Sequence, residues 1–168
     1  MNISVIGGGS WGTTLANLLA KKGENTTMWV REHELAAEIN ATRVNKWFLP
    51  EVKLSDDLAV TTELSRAIKD ADVFLLAVPS QFFRSVLHDM REHLPKKPII
   101  LTVSKGIELD TLMPMSDVVK DVLSDLKPRY AILSGPSFAF EVSREMPSAV
   151  SLGCDDKKRK AKGTTPKA

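Results

Sequence analysis

Cysteine is almost missing from this chain: of 168 residues only Cys154 is one. That excludes an internal disulfide framework, and a lone thiol near a strand end reads as inert rather than catalytic. Long apolar runs are missing too. No stretch approaches the ~18 residues that a bilayer-spanning helix needs, and the first strand-like residues start at Asn2 without a basic leader. The expectation is a cytoplasmic chain with no export signal and no membrane insertion. Histidine is scarce, at three residues, and His88 and His93 lie five apart on one helical stretch with no partner at ligand spacing, which leaves no metal site to argue. No Ser/His/Asp or Cys/His arrangement emerges either. An excess of positive charge is also largely absent from the body of the chain. The pI of 8.7 comes from residues 157–168, "KKRKAKGTTPKA", which hold six cations and no acid; without those six the net charge of +2 becomes −4. Such a run reads as a solvated, disordered end at residues 155–168, not as a nucleic-acid-binding surface.

What remains is the length of one domain, with 43% hydrophobic and 26% charged residues, ordinary for a globular protein. It opens on "ISVIGGGSWGTTLANLLAKKG". Asn2–Ile6 reads as a buried strand, and the spacing Gly7-x-Gly9-x-x-Gly12 follows at once. Glycines at that spacing can simply form a tight loop, but a turn without Cβ atoms also lets a diphosphate approach the N–H groups of the next helix. The context favours the second reading. From Trp11 the residues Leu15, Leu18 and Leu19 keep helical spacing until Gly23, and Thr26–Val30 supplies a second strand, so the βαβ frame of a dinucleotide site is complete.

Further on, His33–Asn40 suits a short helix, and residues 41–58 read as a long loop with an exposed Trp47-Phe48 pair before Pro50. Strands are expected at Val60–Thr61, Val73–Ala77, Ile99–Val103, Ala131–Leu133 and Ala149–Leu152, the last at a sheet edge. Between them Phe82, Phe83, Val86, Leu87, Met90 and Leu94 keep helical spacing, as do Leu112, Met115, Val119, Val122 and Leu126. Strands alternating with helices imply an α/β fold, a Rossmann-type doubly wound and mainly parallel sheet, over residues 1–154. No internal repeat is visible.

In such a sheet, ligands sit beyond the carboxyl ends of the strands. Four segments stand there: the glycine turn, "VPSQ" (Val78–Gln81), "SKGIE" (Ser104–Glu108) and "SGPSFAFEV" (Ser134–Val142), all expected to open onto one crevice. Lys105 could polarise a carbonyl or hold a phosphate monoester; the plain alternative is a solvated loop lysine, and the strand-end position favours function. "SGPS" suits either an anion-binding nest of N–H groups or a simple Gly-Pro turn. Pro79 reads as a strand stop. At the end of the second strand, where an acid would grip the ribose of NAD, stands Arg31, which suits the extra phosphate of NADP; adjacent Glu32 still allows NAD.

Taken together, "GGGSWGTTLA", "NKWFLP", "AVPSQ", "SKGIE" and "LSGPSFAFEV" resemble, in the same order, the N-terminal half of the bacterial NAD(P)-dependent sn-glycerol-3-phosphate dehydrogenases, from Met1 to about Cys154. The resemblance implies reduction of dihydroxyacetone phosphate to glycerol 3-phosphate for phospholipid synthesis, with a small-molecule substrate and an arrangement that allows a homo-oligomer. Position by position it implies cofactor contacts at Gly7, Gly9, Ser10, Trp11, Gly12, Arg31, Phe48, Lys105 and Ala139, and substrate contacts at Lys105, Gly135 and Ser137. Phe48 stands where tyrosine is common in the family, so a hydroxyl contact is lost there. The family's proton-transferring lysine lies in a second, mostly helical half that these residues do not include. The expected function is therefore that of a cofactor domain, weakly active or inactive alone, with a non-catalytic dinucleotide-binding fragment or a related hydroxyacid dehydrogenase as the alternatives.

Overall fold

The computed structural model describes residues 1–155. In chain order the elements are β1 (Asn2–Ile6), α1 (Ser10–Lys21), β2 (Asn25–Trp29), α2 (His33–Thr42), β3 (Val44–Asn45), β4 (Leu49–Lys53), β5 (Ala59–Thr61), α3 (Leu64–Ile68), β6 (Val73–Leu76), α4 (Ser80–Arg91), β7 (Ile99–Thr102), α5 (Met115–Leu123) with a 3-10 turn at Ser124–Leu126, β8 (Arg129–Ser134), α6 (Ala139–Ser143) and β9 (Ser151–Cys154). Seven strands form one sheet in the order β5-β2-β1-β6-β7-β8-β9, parallel except for β9, which runs antiparallel to β8 at the edge. The sheet is Rossmann-type and doubly wound.

Alternate side chains explain why the central strands are mostly apolar, and β6 wholly so. Ile6, Phe74 and Leu76 join a core with Phe83, Val86, Leu87, Met90 and the apolar face of α5, whereas Val5 and Leu75 join a second core with Leu15, Ala16, Ala20, Leu35 and Ile39 of α1 and α2. Both faces of these strands are covered, which favours apolar residues at both positions; buried Ser4 of β1 is an exception. The chain order reverses between β1 and β6, which pair in parallel from Ile3↔Val73 to Ile6↔Leu76. The crevice beyond that reversal is where an open α/β sheet leaves room for a ligand.

Several expectations need correction. Residues 41–58 are not all loop: β3 and β4 pair as a small antiparallel hairpin, with Val44 opposite Lys53 and Asn45 opposite Leu49. Helices α3 and α6, five residues each, carry too few turns to show a period in the sequence. Leu112 is no part of a helix; it has φ of +57° and is 68% exposed, because α5 starts only after Pro114. Phe82 keeps helical spacing on α4 yet is half exposed, turned toward the crevice and away from the core. The last strand lies two residues later than expected, at Ser151–Cys154, and Asp155 still donates its N–H to the Tyr130 carbonyl. The expected disorder of the basic end falls, from residue 156 onward, outside the described residues.

Candidate functional site

The glycine turn is built by three different constraints. Gly7 has φ of +117°, and a Cβ there would sit 2.6 Å from the Ala77 carbonyl oxygen, so the turn out of β1 is tight against the turn out of β6. Gly12 is where α1 crosses β1: a Cβ would stand 2.0 Å from the Gly7 oxygen. Gly9 meets nothing within 4 Å, so its missing side chain leaves open space at the start of α1. A tight turn, an open approach and a close helix–strand crossing are the three roles that glycines play in a dinucleotide turn. No side chain caps α1, which leaves the N–H groups of its first turn free toward that space.

A cavity of about 510 Å³ opens there, lined by Gly7–Trp11, Arg31, Glu32, Phe48, Val78–Pro79, Phe82 and Ser104, among others. Arg31 follows β2, and its guanidinium carbon stands 5.6 Å from the centre of the Phe82 ring, a cation–π approach that holds the cation at the cavity mouth. The aromatic loop is tied to the glycine turn by a residue that sequence reasoning passed over. Buried Asn45 donates to the Gly8 carbonyl at 2.8 Å and to the Thr13 hydroxyl at 2.8 Å, and accepts from the Phe48 N–H at 3.1 Å. Thr14 likewise donates to the Ala139 carbonyl at 3.3 Å, and Asn17 accepts from the Ser55 N–H at 2.7 Å. Three polar side chains on the buried side of α1, Thr13, Thr14 and Asn17, thus anchor β3, the start of α6 and the segment after β4. The faint signal in the sequence is a run of hydroxyls and an amide, "TT" and "N", where an apolar stripe was due.

Three of the four strand-end segments line the main cavity, through Gly7–Gly9, Val78–Pro79 and Ser104, and the fourth, Ser134–Val142, does not. Lys105 lies in a neighbouring cavity of about 420 Å³ with Gly106, Met115, Ser116, Tyr130 and Ser134, joined to the first through Ser104. Ala139, at the start of α6, lines a third of about 430 Å³, joined to the first through Ser10 and Phe48. Gly135 and Ser137 line none of the three. The Ser137 N–H is used within its own turn, donating to the Gly135 carbonyl at 2.9 Å, and a Cβ on Gly135 would lie 2.5 Å from the Ala149 oxygen. So Ser10, Trp11, Arg31 and Phe48 come together, Ala139 and Lys105 flank them, and the SGPS turn packs against the approach to β9.

Three residues after Lys105, Glu108 takes part in the most heavily bonded ion pair of the described residues. Arg84 of α4 donates through Nε and Nη2 to the Glu108 carboxylate at 2.9–3.1 Å, and through Nη1 to Asp121. The guanidinium, with the Thr111 hydroxyl, holds the Glu108 carboxyl below the usual carboxylate range. Tyr130 moves the other way: burial, with Asp155 and Asp117 nearby, pushes its phenol up to about 12, so it is neutral at any ordinary pH. His88 and His93 are exposed, and among the described residues no cluster of His, Cys, Asp or Glu could hold a metal. No helix among them is long and apolar enough to cross a membrane.

The family model for the NAD-dependent glycerol-3-phosphate dehydrogenase N-terminus matches residues 2–160. Among curated relatives, glycerol-3-phosphate dehydrogenase (NAD(P)+) of Maridesulfovibrio salexigens is 55% identical over 158 residues, covering 94% of this chain and 48% of that protein. That of Geobacter metallireducens is 52% identical over 155 residues, covering 92% and 46%. Among solved structures, glycerol-3-phosphate dehydrogenase from Coxiella burnetii superposes with a TM-score of 0.85 at 32% identity, over 94% of this chain and 47% of that one. The chain thus spans about half the length of the relatives it matches. With the glycine turn, the reversed sheet and the match along its length in agreement, the chain belongs to the NAD(P)-dependent glycerol-3-phosphate dehydrogenase family, in its N-terminal, cofactor-binding part.

Proposed function

We propose that this chain is the cofactor-holding half of a cytoplasmic enzyme that reduces dihydroxyacetone phosphate to sn-glycerol 3-phosphate. The observation that carries the reading is the glycine turn: an open cradle at Gly9, which a Cβ would fill, in front of the uncapped first turn of α1. Those residues fit a dinucleotide diphosphate, which would rest on the N–H groups near Ser10 and Trp11. NAD(P)H, when bound, supplies the hydride.

The residues around the cradle divide the remaining work. Arg31, steadied by Phe82, suits a 2′-phosphate, so NADPH is the preferred cofactor, and Glu32 beside it leaves room for NADH. Phe48 and Ala139 line a cavity beside the turn, next to Ser10, and would contact the cofactor there. Lys105 holds an anionic or carbonyl oxygen of the substrate and reaches the cofactor, with Gly135 and Ser137 offering backbone and hydroxyl contacts to the substrate. A ketone that accepts a hydride becomes an alkoxide and needs a proton, and a positioned acid is worth roughly 10²–10⁴-fold there. Among the described residues that line the main cavity only Arg31 and Glu32 are titratable, both after β2, with Lys105 in the cavity beside it. That supports a proton donor contributed by the other half of the family's enzymes. The same observation favours, as a second reading, a nucleotide-binding module without turnover.

Quenching of protein fluorescence during titration with NADPH and NADH tests the assignment. Wild-type chain should bind both, NADPH more tightly, and Gly9→Asp should weaken both by more than about tenfold, since a carboxylate would stand in the diphosphate's place. Arg31→Ala should weaken NADPH and leave NADH nearly unchanged. Equal binding by wild type and Gly9→Asp would remove the site, and equal losses in Arg31→Ala would remove the NADPH preference.

A further inference from the structure

The segment between β7 and α5 has little regular structure of its own. Gly106 has φ of +100°, and the rest is closed by a single bridge, Ile107 to Pro114, with the Glu108 N–H donating to the Met113 carbonyl at 2.9 Å. What fastens it to the fold comes largely from α4. Gln81 donates through Nε2 to the Ile107 carbonyl and accepts through Oε1 from the Leu109 N–H, each at 3.2 Å. One turn on, Arg84 takes both oxygens of Glu108. Glu108 is only 7% exposed, so its charge is affordable because that fork satisfies it.

Lys105 is three residues from Glu108. Three residues span at most about 11 Å, and a lysine stem reaches across most of that, so in an unfastened loop this carboxylate would be the natural partner of the ammonium. Lys105 instead is exposed, lines the cavity between the segment after β7, the start of α5 and β8, and makes no ion pair with a described residue. We propose that Arg84, aided by Gln81, is a positioning residue for Lys105: by holding both Glu108 oxygens it fixes the Lys105-Gly106 turn on α4 and withholds from Lys105 its nearest carboxylate along the chain, leaving the ammonium unpaired for an anionic ligand of the phosphate-monoester kind. This rests on the reading of Lys105 as an anion-holding group given above. It also gives VPSQ and SKGIE a joint task, since Gln81 belongs to one and Glu108 to the other.

The test follows Lys105 itself, by carbon-13 NMR of the full chain after reductive methylation of its lysines, with Lys105→Ala identifying the signal and inorganic phosphate as the probe. In wild type the Lys105 signal should respond to phosphate. In Arg84→Met the freed Glu108 should capture the ammonium, raising the titration midpoint of Lys105 and weakening the phosphate response by about tenfold. Adding Glu108→Gln to Arg84→Met removes the capturing charge and should return both readings to near wild type, although the pair is gone. A merely structural arginine predicts the opposite, a double variant no better than the single one, and that result, or an unchanged Arg84→Met, overturns the proposal. Arg84→Lys keeps the charge without the fork and should fall between wild type and Arg84→Met; if Arg84→Met does not fold, Arg84→Lys indistinguishable from wild type overturns it equally. A wild-type signal indifferent to phosphate strikes at the anion-holding reading instead, and the titration midpoints, which need no ligand, then decide the clamp.

Discussion

Gly9 and Gly12 are the same residue three positions apart, and an added methyl group should expose how different their surroundings are. At Gly12 the Cβ would overlap the Gly7 oxygen, so Gly12→Ala must push α1 off the sheet and should cost about 2–4 kcal/mol of stability. At Gly9 the space is empty and the backbone is extended, so Gly9→Ala should leave stability within about 1 kcal/mol while weakening NADPH. Urea unfolding beside cofactor titration separates the two; equal stability losses would mean that the turn is not packed as described. Glu108 allows a second prediction at this scale. Its folded-state carboxyl titrates below the ordinary value of 4.5, so the pair with Arg84 contributes stability above that value and loses it as the pH falls through the lower, folded one. Wild type should therefore exceed Glu108→Gln in urea resistance at neutral pH, and the gap should close progressively below about pH 4.5.

Among elements, α1 shows best where periodicity is informative and where it is silent. The spacing of Leu15, Leu18 and Leu19 marked the helix, but of the three only Leu15 is buried, with Ala16 and Ala20 beside it, while Leu18 and Leu19 are partly exposed. Thr13, Thr14 and Asn17 are buried as well, yet each is there for one hydrogen bond to a loop far along the chain, which leaves no repeating pattern. The β3–β4 hairpin was illegible for the same reason. Two-residue β3 has no alternation to read, and Asn45 supplies much of its anchorage. Asn45→Ala should remove its three hydrogen bonds, lower stability by about 2–3 kcal/mol and speed amide exchange through Phe48, with weaker NADPH binding as the secondary effect. Hydrogen exchange read by mass spectrometry would show it; an unchanged hairpin would mean that its own ladder suffices.

For the whole molecule, the unequal covering of the sheet sets the behaviour. The central strands are buried on both sides, but around β8, α6 and β9 Phe138, Phe140, Met146, Val150 and Leu152 stand half or more exposed, beside a groove of about 540 Å³ between α1 and α6 lined by Leu15, Leu18, Leu133, Val142 and Val150. So much apolar surface in one region, next to β9 at the end of the strand order, should make the chain self-associate in a concentration-dependent way. Light scattering on wild type and on Phe138→Ser with Leu152→Thr checks this: the double variant should stay dispersed where wild type does not, and a strictly monomeric wild type would contradict it.

The sequence by itself determined the layered fold and the kind of ligand turn at its front, because both are written locally. Strands such as "VFLL" can be apolar at every position only if both faces are covered, and a glycine turn between a buried strand and a helix is the one place where bare backbone serves a diphosphate. The ordered motifs carried the family resemblance on the same terms. Only the tertiary structure decided which loops meet: that Asn45 locks the aromatic loop to Gly8, that Lys105 lines a cavity next to that of the glycine turn, and that Arg84 pairs with Glu108. A hydrogen bond between a side chain and a group tens of residues away leaves no spacing to read, since its partners are neighbours only once the sheet has brought their strands side by side.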